Sequence, residues 1–316
     1  MRISLIIILS ILSGSLIAQQ ESQITQYVYN KLSFNPAVAG ENDYGSITGL
    51  FRDQWTGIEG SPQIQMLTVN FPTVANRLGF GIHLQRQSVG IQSKTDITGM
   101  YAYKIKLGNG HASVGLQLSF RNFVNDFTDD RLIAINGFEN DFSLSQERFS
   151  TNLFNVGVGS YYKGPKYYLG VSVPRYIRAD ISSDVASSLA KEVHHYYAIA
   201  GVDIDLSHDW TFSPSALFKS AAGTPFDLDL LGLMTFRDQV NLGINLRTGG
   251  SQQSLLESVD LLLGLHVNKN IFAGIAYDFT TTELNEFENG TFELVLKYSL
   301  KSNAGPKEIQ NPRYFR

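Results

Sequence analysis

The stretch that decides the fold has the sequence VDLLLGLHVNKNIFAGIAYDFTTTELNEFENGTFELVLKYSL and covers residues 259–300. Its odd-numbered positions from 259 to 267 are Val or Leu, whereas the even-numbered ones include Asp260, Gly264 and His266. The same alternation returns twice before residue 300, and a period of two residues indicates β-strands. One face of each strand is apolar and the other is mixed. A soluble sandwich buries the apolar face, whereas a membrane barrel presents it to lipid.

The composition restricts what this 316-residue chain can do. Charged residues make up 17% of the sequence and the formal net charge is −4, so nothing points to nucleic acid as a partner. The chain has no cysteine, which excludes disulfides, thiol catalysis, Cys-ligated metal and a lipoprotein anchor. Its stability therefore depends on its own hydrogen bonds and packing.

Residues 1–18 have the features of a signal peptide. Arg2 supplies a positive charge, residues 3–12 are almost wholly apolar, and cleavage is expected after Ala18. The apolar run is shorter than the ~20 residues that a spanning helix needs, so a single N-terminal membrane anchor is the weaker alternative. We therefore expect an exported protein that crosses a membrane only as a β-barrel.

The alternating pattern continues through most of the chain. It predicts fourteen strands, at residues 43–51, 62–71, 77–87, 94–107, 110–124, 151–162, 166–175, 193–205, 209–219, 225–236, 239–248, 256–267, 270–280 and 290–300. We predict an all-β fold, a transmembrane antiparallel up-and-down β-barrel of about 14 strands over residues 43–300. Residues 19–42 are expected to be a periplasmic N-terminal lead segment, and residues 301–316 a periplasmic C-terminal tail.

The connections between the predicted strands alternate in length. Those after even-numbered strands are short and rich in Gly, Asn, Asp, Ser and Pro, the usual turn residues. Those after odd-numbered strands tend to be longer, above all residues 125–150 and 176–192. This alternation is typical of an outer-membrane barrel, and a soluble Greek-key sandwich has no reason to show it. An even number of strands returns both termini to the short-turn side, the periplasm.

Glycines recur on the polar face of the predicted strands, for example at Gly79, Gly115, Gly159 and Gly274. On the inner face of a barrel, a missing side chain lets a backbone or a loop approach the wall closely. Relief of strain in a curved, tilted wall explains the same pattern. The sequence leaves both explanations open.

No combination of residues predicts catalysis. His194 and His195 are adjacent on a strand and point to opposite faces, so they do not share a metal from one side. Asp227 and Asp229 share a face, where a charge ladder with Lys or Arg from a neighbouring strand is favoured over acid–base chemistry. The acidic residues of loop 125–150 lack the fixed spacing of a calcium loop. We expect no enzyme activity, no cofactor and no metal.

Three short blocks of sequence resemble a known family. They are Gln26-Tyr27 with Asn30 and FNPAVAG at residues 34–40, FRDQWTGIEGSP at residues 51–62, and NPRYF at residues 311–315. Together they resemble the PorP/SprF family of type IX secretion system membrane proteins of Bacteroidetes, over the whole length of the chain. Val38 and Phe51 depart from that family pattern, in which Tyr is frequent at both positions.

The resemblance implies an outer-membrane barrel without enzyme activity, surrounded by outer-membrane lipid. Its implied role is the secretion and cell-surface attachment of large exported proteins, such as gliding adhesins and other cargo with a matching sorting domain. It also implies periplasmic links to a peptidoglycan-binding lipoprotein and to the type IX secretion machinery. An outer-membrane porin or small-molecule uptake channel is the alternative, because the polar inner face permits it. A soluble surface lectin is a third possibility.

Four positions in the first two blocks are candidate site residues. Asn35 and Pro36 fix an extended backbone followed by a turn, which suits a segment that enters the barrel from the periplasm. Arg52 and Trp55 lie where the first strand ends and the first long loop begins. We favour the hypothesis that they pin that loop over the mouth, with partner binding as the alternative.

The long loops and the tail supply the remaining candidates. Loop 125–150 has an apolar centre that includes Leu132, Ile133 and Ile135, and exposed apolar residues need cover from the barrel or from a partner. We expect this loop and loop 176–192 to contact exported cargo. The tail is basic and ends in the predicted docking residues Arg313, Tyr314 and Phe315, which suit a periplasmic partner. A disordered tail without a partner is the alternative.

Overall fold

The computed structural model describes residues 22–73, 77–129, 131–132, 148–177, 193–221, 226–249 and 256–300. These residues form fourteen antiparallel strands. In chain order β1 to β14 are Ser46–Asp53, Gln63–Pro72, Leu78–Val89, Gln92–Leu107, Gly110–Asp126, Arg148–Lys163, Tyr167–Val173, His195–Val202 continued as Ile204–Asp205, Trp210–Ala221, Asp227–Phe236, Val240–Thr248, Ser258–His266, Ile271–Thr280 and Thr291–Ser299.

The strands close into a barrel. Each strand pairs with the next along the chain, and β14 pairs back with β1 in a register that joins Ser46 to Ser299 and Asp53 to Phe292. The prediction of a closed up-and-down barrel of fourteen strands is therefore confirmed. The strand ends differ from the predicted ones by a few residues, and β8 is interrupted at Asp203.

The two faces of the wall have the polarity of a membrane barrel. On β12 the outward side chains of Leu261, Leu263 and Leu265 are 47–48% exposed, whereas the inward Ser258 and Asp260 are buried. A soluble sandwich would show the opposite arrangement, with its apolar face buried. An apolar exterior and a polar interior belong to a barrel in lipid.

Part of the wall continues beyond the apolar band. The paired outward residues Leu84, Ile97, Phe120 and Phe154 form an exposed apolar row across β3 to β6. The next paired row, toward the long loops, is polar and consists of Arg86, Thr95, Asn122 and Asn152. Because β4 to β6 have 16–17 residues and a membrane strand needs about 9–11, these strands extend past the lipid. We call residues 85–89, 92–96, 121–126 and 148–153 the outer wing.

The described part of the lead segment, residues 22–42, lies inside the barrel. It contains the 3₁₀ turns Tyr27–Tyr29, Lys31–Ser33 and Pro36–Val38, whose backbone groups bond within the segment itself. The periplasmic position of both termini stays a prediction, since residues 301–316 lie outside the described residues. Within the described ranges, no helix is long and apolar enough to cross a membrane.

Candidate functional site

The lead segment occupies the lumen as a plug, which we define as residues 22–41. It begins near the long-loop end, where Ser22 donates to Gln87 and accepts from Gln85 at 2.9 and 2.6 Å. It ends at the short-turn end, where the backbone of Gly40 donates to Asn70 at 2.6 Å. A cavity of about 40 Å³ lies beside it, which is room for a few water molecules.

The centre of the plug is anchored by Asn35. Its side-chain oxygen accepts from the backbone N–H of Ala37 at 2.9 Å and caps the Pro36–Val38 turn. Its amide nitrogen donates to the wall carbonyls of Ser160 and Val171 at 3.0 and 3.3 Å. One side chain therefore fixes both the local turn and its position against β6 and β7.

The inward glycines follow the path of the plug. A methyl group at Gly79 would overlap the Ala39 carbonyl, one at Gly115 the backbone of Ala37, and one at Gly159 the side chain of Asn35. Close approach is therefore the reason for glycine at these three positions. Close approach of the plug does not explain every inward glycine, since the atoms nearest to Gly243 belong to leucines of the wall.

The long-loop end of the lumen holds a buried layer of charges around the plug, which we call the charged layer. Arg52 pairs with Asp278 at 2.7 Å and with Glu293 at 3.1 Å, and all three side chains are at most 2% exposed. Arg247 pairs with Asp229 at 2.8 Å and with Asp278 at 3.4 Å. Multiple partners for each guanidinium offset the cost of burying these charges.

Thr25 of the plug is the common partner of the charged layer. Its hydroxyl accepts from Arg52 at 3.0 Å and from Arg247 at 3.1 Å, and donates to Asp278 at 2.8 Å. Its backbone N–H and that of Gln26 donate to the two oxygens of Glu293 at 2.9 and 2.8 Å. The plug is therefore fixed by five hydrogen bonds to charged groups within two residues.

A second charged group lies across the lumen from the first. Arg121 binds Asp96 with two bonds of 2.6 and 2.9 Å, and Arg175 reaches the same carboxylate at 3.3 Å. Arg175 follows β7, where Pro174 bends inward and accepts from Gln117 at 2.9 Å. These contacts narrow the lumen on the side that the charged layer does not reach.

At the short-turn end the plug carries a second ion pair. Lys31 binds Glu41 at 2.7 Å and lies 4.2 Å from the ring centre of Tyr168. Burial would raise the pKa of Glu41, but Lys31 and Lys163 outweigh it and lower that pKa to about 2. Both ends of the plug are thus held by charges, and the middle by neutral hydrogen bonds.

The predicted site residues fall in different places. Asn35, Pro36 and Arg52 are buried in the lumen, so the Arg52 side chain contacts the plug rather than the first loop. Trp55 is half-buried in that loop, with its backbone N–H on Thr291 at 3.1 Å, and the structure does not bring it to Arg52. Their roles in partner binding stay predictions.

The remaining predicted site residues concern the long loop and the tail. Leu132 is half-buried, and its backbone N–H donates to Asp129 at 3.0 Å. Ile133 and Ile135 lie outside the described residues, as do Arg313, Tyr314 and Phe315. Their proposed contacts with cargo and with a periplasmic partner therefore stay predictions.

Thr25, Asp278 and Glu293 are not among the site residues predicted from the sequence. A signal existed, because inward charges concentrate at the strand ends next to the long loops. The charge ladder predicted for Asp229 is confirmed, since Lys219 and Arg247 bind it at 2.7 and 2.8 Å. Among the described residues, no group of three His, Asp or Glu side chains is arranged to hold a metal ion.

Comparison with solved structures shows the same fold in one channel protein. The "CymD monoaromatic hydrocarbon channel" is 11% identical, with a TM-score of 0.51 over 87% of this chain and 93% of that one. A Pseudomonas aeruginosa FadL homologue is 11% identical, with a TM-score of 0.48 over 84% and 93%. The KdgM porin is 10% identical, with a TM-score of 0.38 over 81% and 99%.

Comparison of the sequence itself identifies the family. None of the curated proteins matches this chain. The family model described as "Type IX secretion system membrane protein PorP/SprF" matches residues 16–298, which include the plug and all of the barrel strands except Ser299 at the end of β14. The chain therefore belongs to the PorP/SprF family of type IX secretion system membrane proteins.

Proposed function

We propose that this protein is a sealed outer-membrane platform for the type IX secretion system. In this role it supports the secretion and cell-surface attachment of large exported proteins, such as gliding adhesins and other cargo with a sorting domain, in a bacterium of the Bacteroidetes. Family membership and the barrel fold support the general role. The filled lumen supports the sealed state, because residues 24–27 of the plug are fully buried.

The alternative is a porin or uptake channel. A diffusion channel needs a water-filled path lined by exposed polar groups. In this barrel the luminal charges of Arg52, Arg247, Asp229, Asp278 and Glu293 are instead buried and paired with one another or with the plug. One structural neighbour is named a channel, but at 11% identity that similarity shows only a shared fold.

The two ends of the barrel suit different partners in this proposal. The long-loop end and the outer wing face the cell exterior and receive exported cargo. The short-turn end, with the tail that follows β14, faces a periplasmic peptidoglycan-binding lipoprotein and the secretion machinery. The plug contacts both ends, through Thr25 in the charged layer and through Glu41 beside Lys163.

Two measurements test the proposal, one on the purified full-length protein and one on cells. We expect no steady conductance when it is inserted in planar bilayers, since the plug closes the lumen. We also expect cells that lack the protein to retain or release sorting-domain proteins that wild-type cells display on their surface. Steady solute flux combined with unchanged surface display would contradict the platform and favour the porin.

A further inference from the structure

One strand of the barrel has an edge that no other described strand covers. β6 pairs with β5 along its whole length, from Arg148 opposite Asp126 to Lys163 opposite His111. Its other edge pairs with β7 only from Val158 to Lys163. Within the described residues, Arg148–Phe154 therefore has a strand partner on one side only.

Asn155 marks the point at which pairing on this edge stops. The backbone N–H of Tyr176 donates to the Val156 carbonyl at 2.9 Å. The Asn155 side chain accepts from Tyr176 and Ile177 at 2.9 and 2.8 Å, and donates to the Ile177 carbonyl at 2.7 Å. These bonds replace a regular ladder along this part of the edge. The open edge begins one residue further, at Phe154.

The contact of Val156 determines which residues direct their backbone groups to the open edge. Its carbonyl points away from β5, toward Tyr176. In an antiparallel strand the N–H and C=O of one residue point to the same side, and the side alternates along the chain. Ser150, Asn152 and Phe154 therefore direct their N–H and C=O to the open edge.

The part of the open edge at Ser150 and Asn152 lies outside the lipid, whereas Phe154 belongs to the apolar row. Asn122 donates to Ser150 and Asn152 at 3.1 and 2.8 Å, in the polar rows of the outer wing beyond the apolar row that ends at Phe154. Unpaired strand edges are not tolerated in hydrocarbon, but they are templates for strand addition in water. Within the described residues, no strand covers the backbone groups of Ser150 and Asn152 at the long-loop end.

We propose that an extended segment of an exported protein adds as a β-strand to the edge formed by Ser150 and Asn152. This inference rests on the proposed function, which brings exported proteins to this end of the barrel. A row of alternating backbone donors and acceptors is complementary to an extended polypeptide.

The side chains beside the edge define what kind of segment fits. On the outer face the edge carries the polar Ser150 and Asn152. On the inner face Phe149 packs on Phe123 and Leu153, which are 5% and 6% exposed. An added strand continues both faces, so the matching segment alternates polar with apolar residues.

Two substitutions of Asn152 distinguish the contribution of its backbone N–H from that of its side chain. Asn152→Pro removes the N–H that faces the edge and leaves the bonds to β5 in place, because proline is tolerated where the N–H faces away from the neighbouring strand. Asn152→Ala removes the same side chain and keeps the N–H, which makes it the matched control. Heat-modifiable migration on gels shows whether each full-length variant is folded and inserted.

The assay is site-specific photo-crosslinking in cells, with a photoreactive residue at Ser150 and, in a parallel strain, at Glu59 in the first outer loop. We expect Ser150 to crosslink to one extended segment of an exported sorting-domain protein. The yield should fall about tenfold in Asn152→Pro, the effect of losing one or two backbone hydrogen bonds, and stay unchanged in Asn152→Ala.

The outcomes distinguish this inference from the proposed function. Equal yields in the two Asn152 variants, or crosslinks from Ser150 only to residues 178–192 of the same chain or to a second copy, would overturn strand addition. Crosslinks to exported protein from Glu59 but not from Ser150 would refute the edge and retain the platform. If neither position captures an exported protein, both proposals fail.

Discussion

Replacing Thr25 by valine is expected to loosen the plug. Valine keeps the size and the β-branch but removes the hydroxyl that binds Arg52, Arg247 and Asp278. Hydrogen bonds to charged groups contribute about 1.5–3 kcal/mol each. The three losses do not add fully, because each arginine keeps a carboxylate partner in Asp278 or Asp229. We expect the docking free energy of the plug to fall by about 2–3 kcal/mol.

Hydrogen exchange followed by mass spectrometry measures this loss directly. The amides of Thr25 and Gln26 donate to Glu293, so they exchange when the plug leaves the charged layer. A loss of about 2–3 kcal/mol raises their exchange about 30- to 150-fold. Thr25→Ser keeps the hydroxyl and should exchange like the wild type, and peptides from β5 provide an internal reference. Equal exchange in the valine and serine variants would refute a role for the charged layer in holding the plug.

Three further changes test other parts of the site. Gly159→Ala places a methyl group against Asn35 and should produce conductance in planar bilayers. Gly99→Ala places its methyl group in open space and should produce none. If neither variant conducts, close packing of the plug against the wall is refuted. Glu41→Gln should lower the unfolding temperature at pH 7. The difference from wild type should shrink as pH falls from about 4.5 to 2, because the pKa of Glu41 is lowered in the folded protein. A difference that stays constant with pH would exclude the ion pair of Glu41 as its cause. Removing residues 310–316 should leave a heat-modifiable barrel that no longer co-purifies with a periplasmic lipoprotein, and normal co-purification would show the tail to be dispensable.

The strands were predictable because their signal is local. Alternation over about ten residues and turn residues at the ends determine each strand independently of the rest. The errors occur where a distant residue decides the end. The seventh predicted strand, 166–175, ends at Val173, since Pro174 turns inward and the Asn155 side chain binds the next backbone groups.

The plug was not predictable in the same way. Its contacts join residues far apart in sequence, such as Thr25 and Glu293 at a separation of 268 positions, and no short pattern reports them. Asn35 and Pro36 indicated a turn that suits entry into the barrel, without its position inside. The inward glycines carry part of this information in the sequence, because Gly79, Gly115 and Gly159 are among the wall positions that the plug touches.

Sealing and docking depend on different parts of the chain, so separate substitutions should affect them. Thr25 acts inside the lumen, through Arg52 and Arg247. The edge at Asn152 lies on the outer wing, beyond the apolar band. Thr25→Val should therefore raise exchange of the plug without changing crosslinking from Ser150, and Asn152→Pro should do the reverse. If either substitution changed both measurements, the plug and the wing would be energetically coupled, and cargo docking would act on the seal of the barrel.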